Sequence, residues 1–171
     1  MQSHFELFGL SPAFSLEEDL LEKAYRDIQS KVHPDRFANA GDAERRASLQ
    51  WTTRVNEAYR ALKDPVQRAR HILELHGVDV AFETSTAMPS EFLVQQMALR
   101  ESLEEAVEKK DPAAVDGLRK DLKKNKSVLE RQIGEAIDVK KDYAGAAELA
   151  RKLMFLDKLD EEIDLAYEAV E

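Results

Sequence analysis

The sequence predicts an all-α protein, and three observations predict it. Apolar residues recur at three- and four-residue intervals in one segment after another, the pattern of amphipathic helices. The interruptions between those segments hold Pro, Gly and Asp where helices end and begin. From residue 89 onward the chain is dominated by Leu, Ala, Glu and Lys, which lose little on entering a helix. A chain of 171 residues, 35% charged and 43% hydrophobic, has room for one domain or two small ones with modest cores. The expected division is a helical hairpin with short helices over 1–76, a connector over 77–88 and an antiparallel three-helix bundle over 89–171, each half with its own core.

The chain opens on a short apolar segment, Phe5-Glu6-Leu7-Phe8-Gly9-Leu10, which Ser11-Pro12 interrupts. Ser15 and Glu18 have the spacing of a capping box ahead of an amphipathic run. Leu21, Ala24, Tyr25, Ile28 and Val32 form the apolar stripe of that helix, and Lys23, Arg26 and Lys31 fall among its other positions. The helix must stop at Lys31-Val32-His33-Pro34-Asp35-Arg36, because Pro34 has no N–H to continue the ladder and disfavours the helical conformation at His33. Asp35 offers a carboxylate suited to accept local backbone N–H groups in a turn. The expected product is a rigid, polar, solvent-facing corner that a partner can read.

The loop Ala38-Asn39-Ala40-Gly41-Asp42 leads to a second long helix, whose stripe of Trp51, Val55, Ala58 and Leu62 is expected to pack antiparallel on the first. Asp64-Pro65 ends it and begins another helix, which contains Ile72, Leu73 and Leu75 and stops at His76-Gly77. Residues 77–88 lack helical period. Three helices follow: from Pro89 to Lys110, from Pro112 to about Asp138 with the seam Val115, Leu118, Leu122, Leu129, Ile133 and Ile137, and from Asp142 onward with the seam Leu149, Leu153, Leu156, Ile163 and Tyr167. Short connections between amphipathic helices make an antiparallel bundle.

Composition excludes much. The net charge of −9 is uneven: residues 1–76 hold 11 Lys and Arg against 12 Asp and Glu, and the remainder holds 14 against 22. An acidic second half argues against nucleic acid, whose phosphates demand a basic face. No run of apolar residues is long enough to span a membrane. The first ten residues already fit the folded pattern and lack the features of a signal peptide, so a bacterial-type cytoplasmic location is expected. There is no cysteine, hence no disulfide and no thiolate metal site. The histidines His4, His33, His71 and His76 form no HExxH pattern, and the six glycines form no phosphate loop. With no nucleophile–base set either, the chain is read as a non-enzyme that holds no cofactor and no metal.

One further feature stands out on the first bundle helix. Phe92, Leu99, Leu103 and Ala106 account for a core face, leaving Leu93, Val94 and Met97 off it, with Glu101 and Glu105 continuing the line. An apolar patch edged by carboxylates is what a docking surface looks like. Periodicity alone equally allows deeper burial of this end against the N-terminal half.

The order of features in the first 76 residues resembles a J-domain, the module that activates 70-kDa heat-shock-class chaperones. The resemblance is carried by Phe5 to Leu10, Tyr25, His33-Pro34-Asp35, Asn56-Glu57-Ala58-Tyr59 and Leu62-Lys63-Asp64-Pro65. It implies that His33, Pro34 and Asp35, together with Lys23, Arg26, Lys31 and Arg36, contact such a chaperone. The segments Phe92-Leu93 through Leu99-Arg100-Glu101 and Arg151 to Leu159 are similar to the C-terminal domain of the HscB family of iron–sulfur cluster co-chaperones, so the resemblance spans the whole chain. It implies that the chaperone partner is HscA and that Leu93, Val94, Met97, Glu101, Glu105 and Phe155 bind the cluster scaffold protein IscU. The chain departs from the family pattern at Ala98 and Ser102, where acidic side chains are common, so the electrostatic part of scaffold binding is expected to be weaker. The CxxC-containing extension of some eukaryotic members has no counterpart here. A general J-protein that delivers unfolded clients is the nearest rival, but the Gly-rich linker or Cys-rich module it would use is missing. A purely structural helical protein would leave the His-Pro-Asp corner idle.

Overall fold

A reciprocal cap starts the fold. The Ser3 hydroxyl accepts the N–H of Glu6 (3.1 Å) while the Glu6 carboxylate accepts the N–H of Ser3 (3.2 Å), which opens α1 (His4–Leu7). The computed structural model describes residues 2–80 and 88–171. The capping box expected at Ser15 and Glu18 does not form: α2 (Glu18–Val32) begins after Glu17 with no side-chain cap. The N–H groups of Phe14 and Ser15 are held instead by the Asp138 carboxylate, at 2.8 and 2.9 Å. The distant Asp138 carboxylate takes the Ser15 N–H that the Glu18 side chain would accept in a capping box.

α2 and α3 (Asp42–Lys63) form the expected hairpin. Tyr25 stacks on Tyr59, with ring centroids 4.0 Å apart, and donates its hydroxyl to Asn56 Oδ1 at 2.7 Å. Val55, Ala58 and Leu62 are fully buried on the predicted stripe, but Trp51 is 42% exposed, with the Arg54 guanidinium over its ring. Trp51 lies level with Val32, where α2 ends and its packing partner runs out. Ser48 occupies the buried position there, seven residues before Val55.

The Asp64 carboxylate accepts the N–H of Gln67 (3.3 Å) and Pro65 fills the first turn of α4 (Pro65–Leu75), as the sequence requires. The helix runs out at Gly77, whose φ of +74° favours a residue without a Cβ. The bundle consists of α5 (Ser90–Glu108), α6 (Pro112–Gly134) and α7 (Tyr143–Val170). Asp111 and Asp142 cap α6 and α7 through the N–H groups of Ala114 and Gly145. Because α6 runs back between them, α5 and α7 are parallel: Phe92 meets Phe155 edge-on, and Arg100 pairs with Glu162. Every element among the described residues is helical.

The two halves share one contiguous apolar core, contrary to the expectation of separate ones. α4 packs on α7, and the ring of His76 stacks on that of Tyr143 at 4.0 Å. Val80 is buried, and its carbonyl accepts from the Arg151 guanidinium at 3.0 Å. Beyond α6 the chain widens into a π-helical segment, Glu135–Val139, which carries Asp138 toward the α1–α2 loop. Gly134 allows that approach, since a Cβ there would sit 3.1 Å from Ser15 Oγ. The expected connector falls mostly on residues 81–87, outside the described residues. No helix among those described is long and apolar enough to cross a membrane.

Candidate functional site

The corner is built from α2 outward. Val32 is the last residue of α2, and its carbonyl has no intrahelical donor. Two hydroxyls of α3 supply one: Ser48 Oγ donates to it at 2.6 Å and Thr52 Oγ1 at 3.2 Å. Arg36 reaches back and donates to the carbonyl of Ser30 at 3.2 Å. The end of α2 is thereby fixed from two sides. His33 then leaves the helix with ψ of 135°, and Pro34–Phe37 form a 3₁₀ turn.

Inside that turn the capping roles differ from those expected. The His33 ring, through Nδ1, accepts the N–H of Asp35 at 3.2 Å, which leaves the ring proton of the neutral imidazole on the outward Nε2. The Asp35 side chain is 93% exposed and stands 3.6 Å from that same Nδ1. The carboxylate is therefore free to face a partner, while the imidazole does the structural work predicted for it. Lys23, Arg26 and Lys31 are all exposed on α2, and Arg26 is engaged by Glu22 one turn back at 3.0 Å. Ser48 and Thr52 escaped the sequence reading. The clue was a serine seven residues before Val55 and fourteen before Leu62, a polar residue at a core interval.

On α5 the two open alternatives are separated by exposure. Val94 and Met97 are 65% and 60% exposed, and Leu93 is also exposed, so this end of the helix is not buried against the N-terminal half. Glu101 and Glu105 lie exposed along the same side. The Lys109 ammonium donates to Glu105 at 2.6 Å and holds its carboxyl below the usual glutamate range. Phe155 is half-buried on α7, edge-on to Phe92 and beneath the Arg100 guanidinium. It borders the α5 patch as a supported ring. Among the described residues, no group of three or more His, Asp or Glu side chains is arranged to hold a metal ion.

Comparison with known proteins finds two family models along the chain. Residues 3–71 match the model of the DnaJ domain, and residues 88–164 match that of the HSCB C-terminal oligomerisation domain. The chain is 46% identical over 169 residues to a co-chaperone protein HscB homolog of Burkholderia cenocepacia, covering 99% of this chain and 96% of that one. Its counterpart in Burkholderia thailandensis is 47% identical over the same extent. Among solved structures, chaperone HscB from Vibrio cholerae superposes with a TM-score of 0.87 at 32% identity, over 99% of both chains. The human co-chaperone HscB gives 0.90 at 27%, over 96% of this chain and 82% of that one. From the His-Pro-Asp corner at one end of the sequence to the helical bundle at the other, the chain belongs to the HscB family of co-chaperones.

Proposed function

We propose that this co-chaperone couples two partners in iron–sulfur cluster assembly. Residues 1–76 engage the specialised 70-kDa chaperone HscA and stimulate its ATP hydrolysis. The bundle, residues 89–171, brings the scaffold protein IscU as client. The observation that carries the reading is the pairing of two exposed surfaces on one packed body: the His33–Arg36 corner beside the exposed Lys23, Arg26 and Lys31 of α2, and the Leu93, Val94 and Met97 patch on α5. The chemistry belongs to the chaperone. This chain contributes positioning, since holding chaperone and client together turns two encounters into one intramolecular event at high effective concentration.

In that scheme His33, Pro34 and Asp35 act as a fixed plug, and Lys23, Arg26, Lys31 and Arg36 supply attraction to an acidic chaperone surface. Leu93, Val94, Met97 and Phe155 anchor the scaffold, with Glu101 and Glu105 as an acidic rim. The test is steady-state ATP hydrolysis by the chaperone, with this protein and the scaffold added singly and together. Stimulation by the protein alone, and more than additive stimulation with scaffold, are expected. Absence of any stimulation refutes the reading. Stimulation indifferent to scaffold refutes the client half of it.

A further inference from the structure

Beyond the α5 patch lies a second surface that the proposed anchors do not use. Past the Arg100–Glu162 pair, α5 and α7 flank an open groove of about 420 Å³. Its floor is Leu103, Val107 and Leu165, and its rim is Glu104, Glu108 and Glu162. Leu165 is 66% exposed, one of the most exposed large apolar side chains in the described structure. Glu162 is already paired with Arg100, so the negative charge of the rim comes from Glu104 and Glu108. Neither α5 nor α7 has a basic residue in its last turn, so the negative end of the α5 dipole adds to the glutamates instead of being offset within the helix. Lys109, the first cation beyond α5, is bonded to Glu105. An apolar floor inside an acid rim is complementary to a cationic amphipathic segment.

The groove is also continuous with the patch. Leu93, Met97, Glu101, Glu104 and Glu108 follow one another at three- and four-residue spacing, so they form one stripe along α5. At 1.5 Å per residue the stripe is roughly 22 Å long, enough for a helix or strand of a partner to lie along it. Resting on the function proposed above, we infer that the α5–α7 groove is a second subsite for the scaffold: it takes a basic, apolar-anchored segment of the same molecule that docks on Leu93, Val94 and Met97.

The test uses the full chain with two exposed groove positions made cationic, Glu108→Lys and Leu165→Lys, beside Met97→Ala. Titration calorimetry with scaffold at low and high salt, a melting curve of each protein and sedimentation of the parent measure the outcome. The double variant is expected to melt like the parent, to bind scaffold about tenfold more weakly at low salt, and to lose much of the parent's salt dependence. Leu165→Ser alone is expected to weaken binding by a smaller factor, which keeps the inference testable if the added lysines disturb the fold. Unchanged scaffold affinity in the groove variants, with Met97→Ala weakened, overturns the groove and leaves the patch standing. A parent that binds no scaffold overturns both. A parent that self-associates through the groove, becoming monomeric in the double variant with scaffold affinity unchanged, assigns the groove to a second copy and also overturns the inference.

Discussion

The His33–Arg36 corner and the outer face of α5 are both exposed, yet they are made of different things. The corner is mostly backbone: a helix end satisfied by Ser48 and Thr52, a proline that dictates the exit, and an imidazole bonded to the Asp35 N–H. The α5 face is side chains on a regular helix, and its backbone would be the same with other helix formers in place of Leu93, Val94 and Met97. A surface defined by backbone conformation is close to all-or-none, because one wrong residue changes the whole turn. A surface defined by separate anchors is graded. Ala98 and Ser102 are both exposed on the graded helix, where a single substitution is expected to change affinity by degrees.

The sharpest break of this comparison is His33→Gln. Stimulation of the chaperone is expected to fall to the level seen without co-chaperone, while the melting curve shifts by no more than about 1 kcal/mol equivalent, the worth of the one bond from the half-exposed His33 ring to the Asp35 N–H. Phosphate release and circular dichroism on the same samples measure the two. A graded, partial loss would place the corner in the same class as the α5 face.

On α5, Leu93→Ala and Met97→Ala are each expected to weaken scaffold binding by about 2 kcal/mol, roughly thirtyfold, with little change in melting. Phe155→Ala is expected to behave differently. Its ring is half-buried against Phe92 and Arg100, so truncation should lower stability as well as affinity. Calorimetric titration set beside melts of the three variants separates these outcomes. Equal stability losses at all three positions would make the face part of the core.

Ser48→Ala tests how the corner is held. It removes the shorter of two hydrogen bonds to the Val32 carbonyl and is expected to cost about 1 kcal/mol in denaturant unfolding, with a partial loss of chaperone stimulation. Stability loss with full stimulation would show that the exit of α2 is set by Pro34 alone.

What was legible in the sequence follows the range of the interaction. The helices, the Asp64-Pro65 and Asp111-Pro112 starts and the Gly77 stop rest on contacts within a few residues, and the sequence displays both partners side by side. The exposure of Leu93 and Met97 was half legible, because periodicity gives a face but not what covers it. The Asp138 bonds to Phe14 and Ser15 span more than 120 residues and replace a local cap that looked complete, so no local pattern could reveal them. The same long range explains the shared core: α4 and α7 each read as an ordinary amphipathic helix, and nothing local says that they meet. Trp51 shows the reverse error, a residue on the right face at a level where no partner helix remains.

The smallest expected effect concerns pH and a structural pair of histidines that joins α1 to α4 in the N-terminal half. The rings of His4 and His71 stack at 4.1 Å, and His71 Nε2 accepts the N–H of His4 at 3.0 Å. Burial pushes the His4 imidazole below its usual range; nearby Arg54 adds to this, while Glu57 and Glu74 oppose it. Burial does the same to His71, assisted by His4 and opposed by Glu74. The folded state therefore takes up these protons less readily than the unfolded chain. The stability this pair contributes is complete above the ordinary histidine value of about 6.5 and declines as pH falls through the lowered values. Burial raises Asp64 and Glu130, which act in the opposite sense from 3.8 and 4.5 upward, so melts are best compared between pH 5.5 and 7.5. The parent is expected to lose stability progressively toward the acid end. His71→Gln, whose amide oxygen can still accept from His4, is expected to show a flatter profile, because the proton-accepting acceptor is gone. A profile in His71→Gln as steep as the parent's would show that the packing of α1 on α4 is not the pH-sensitive feature of this half.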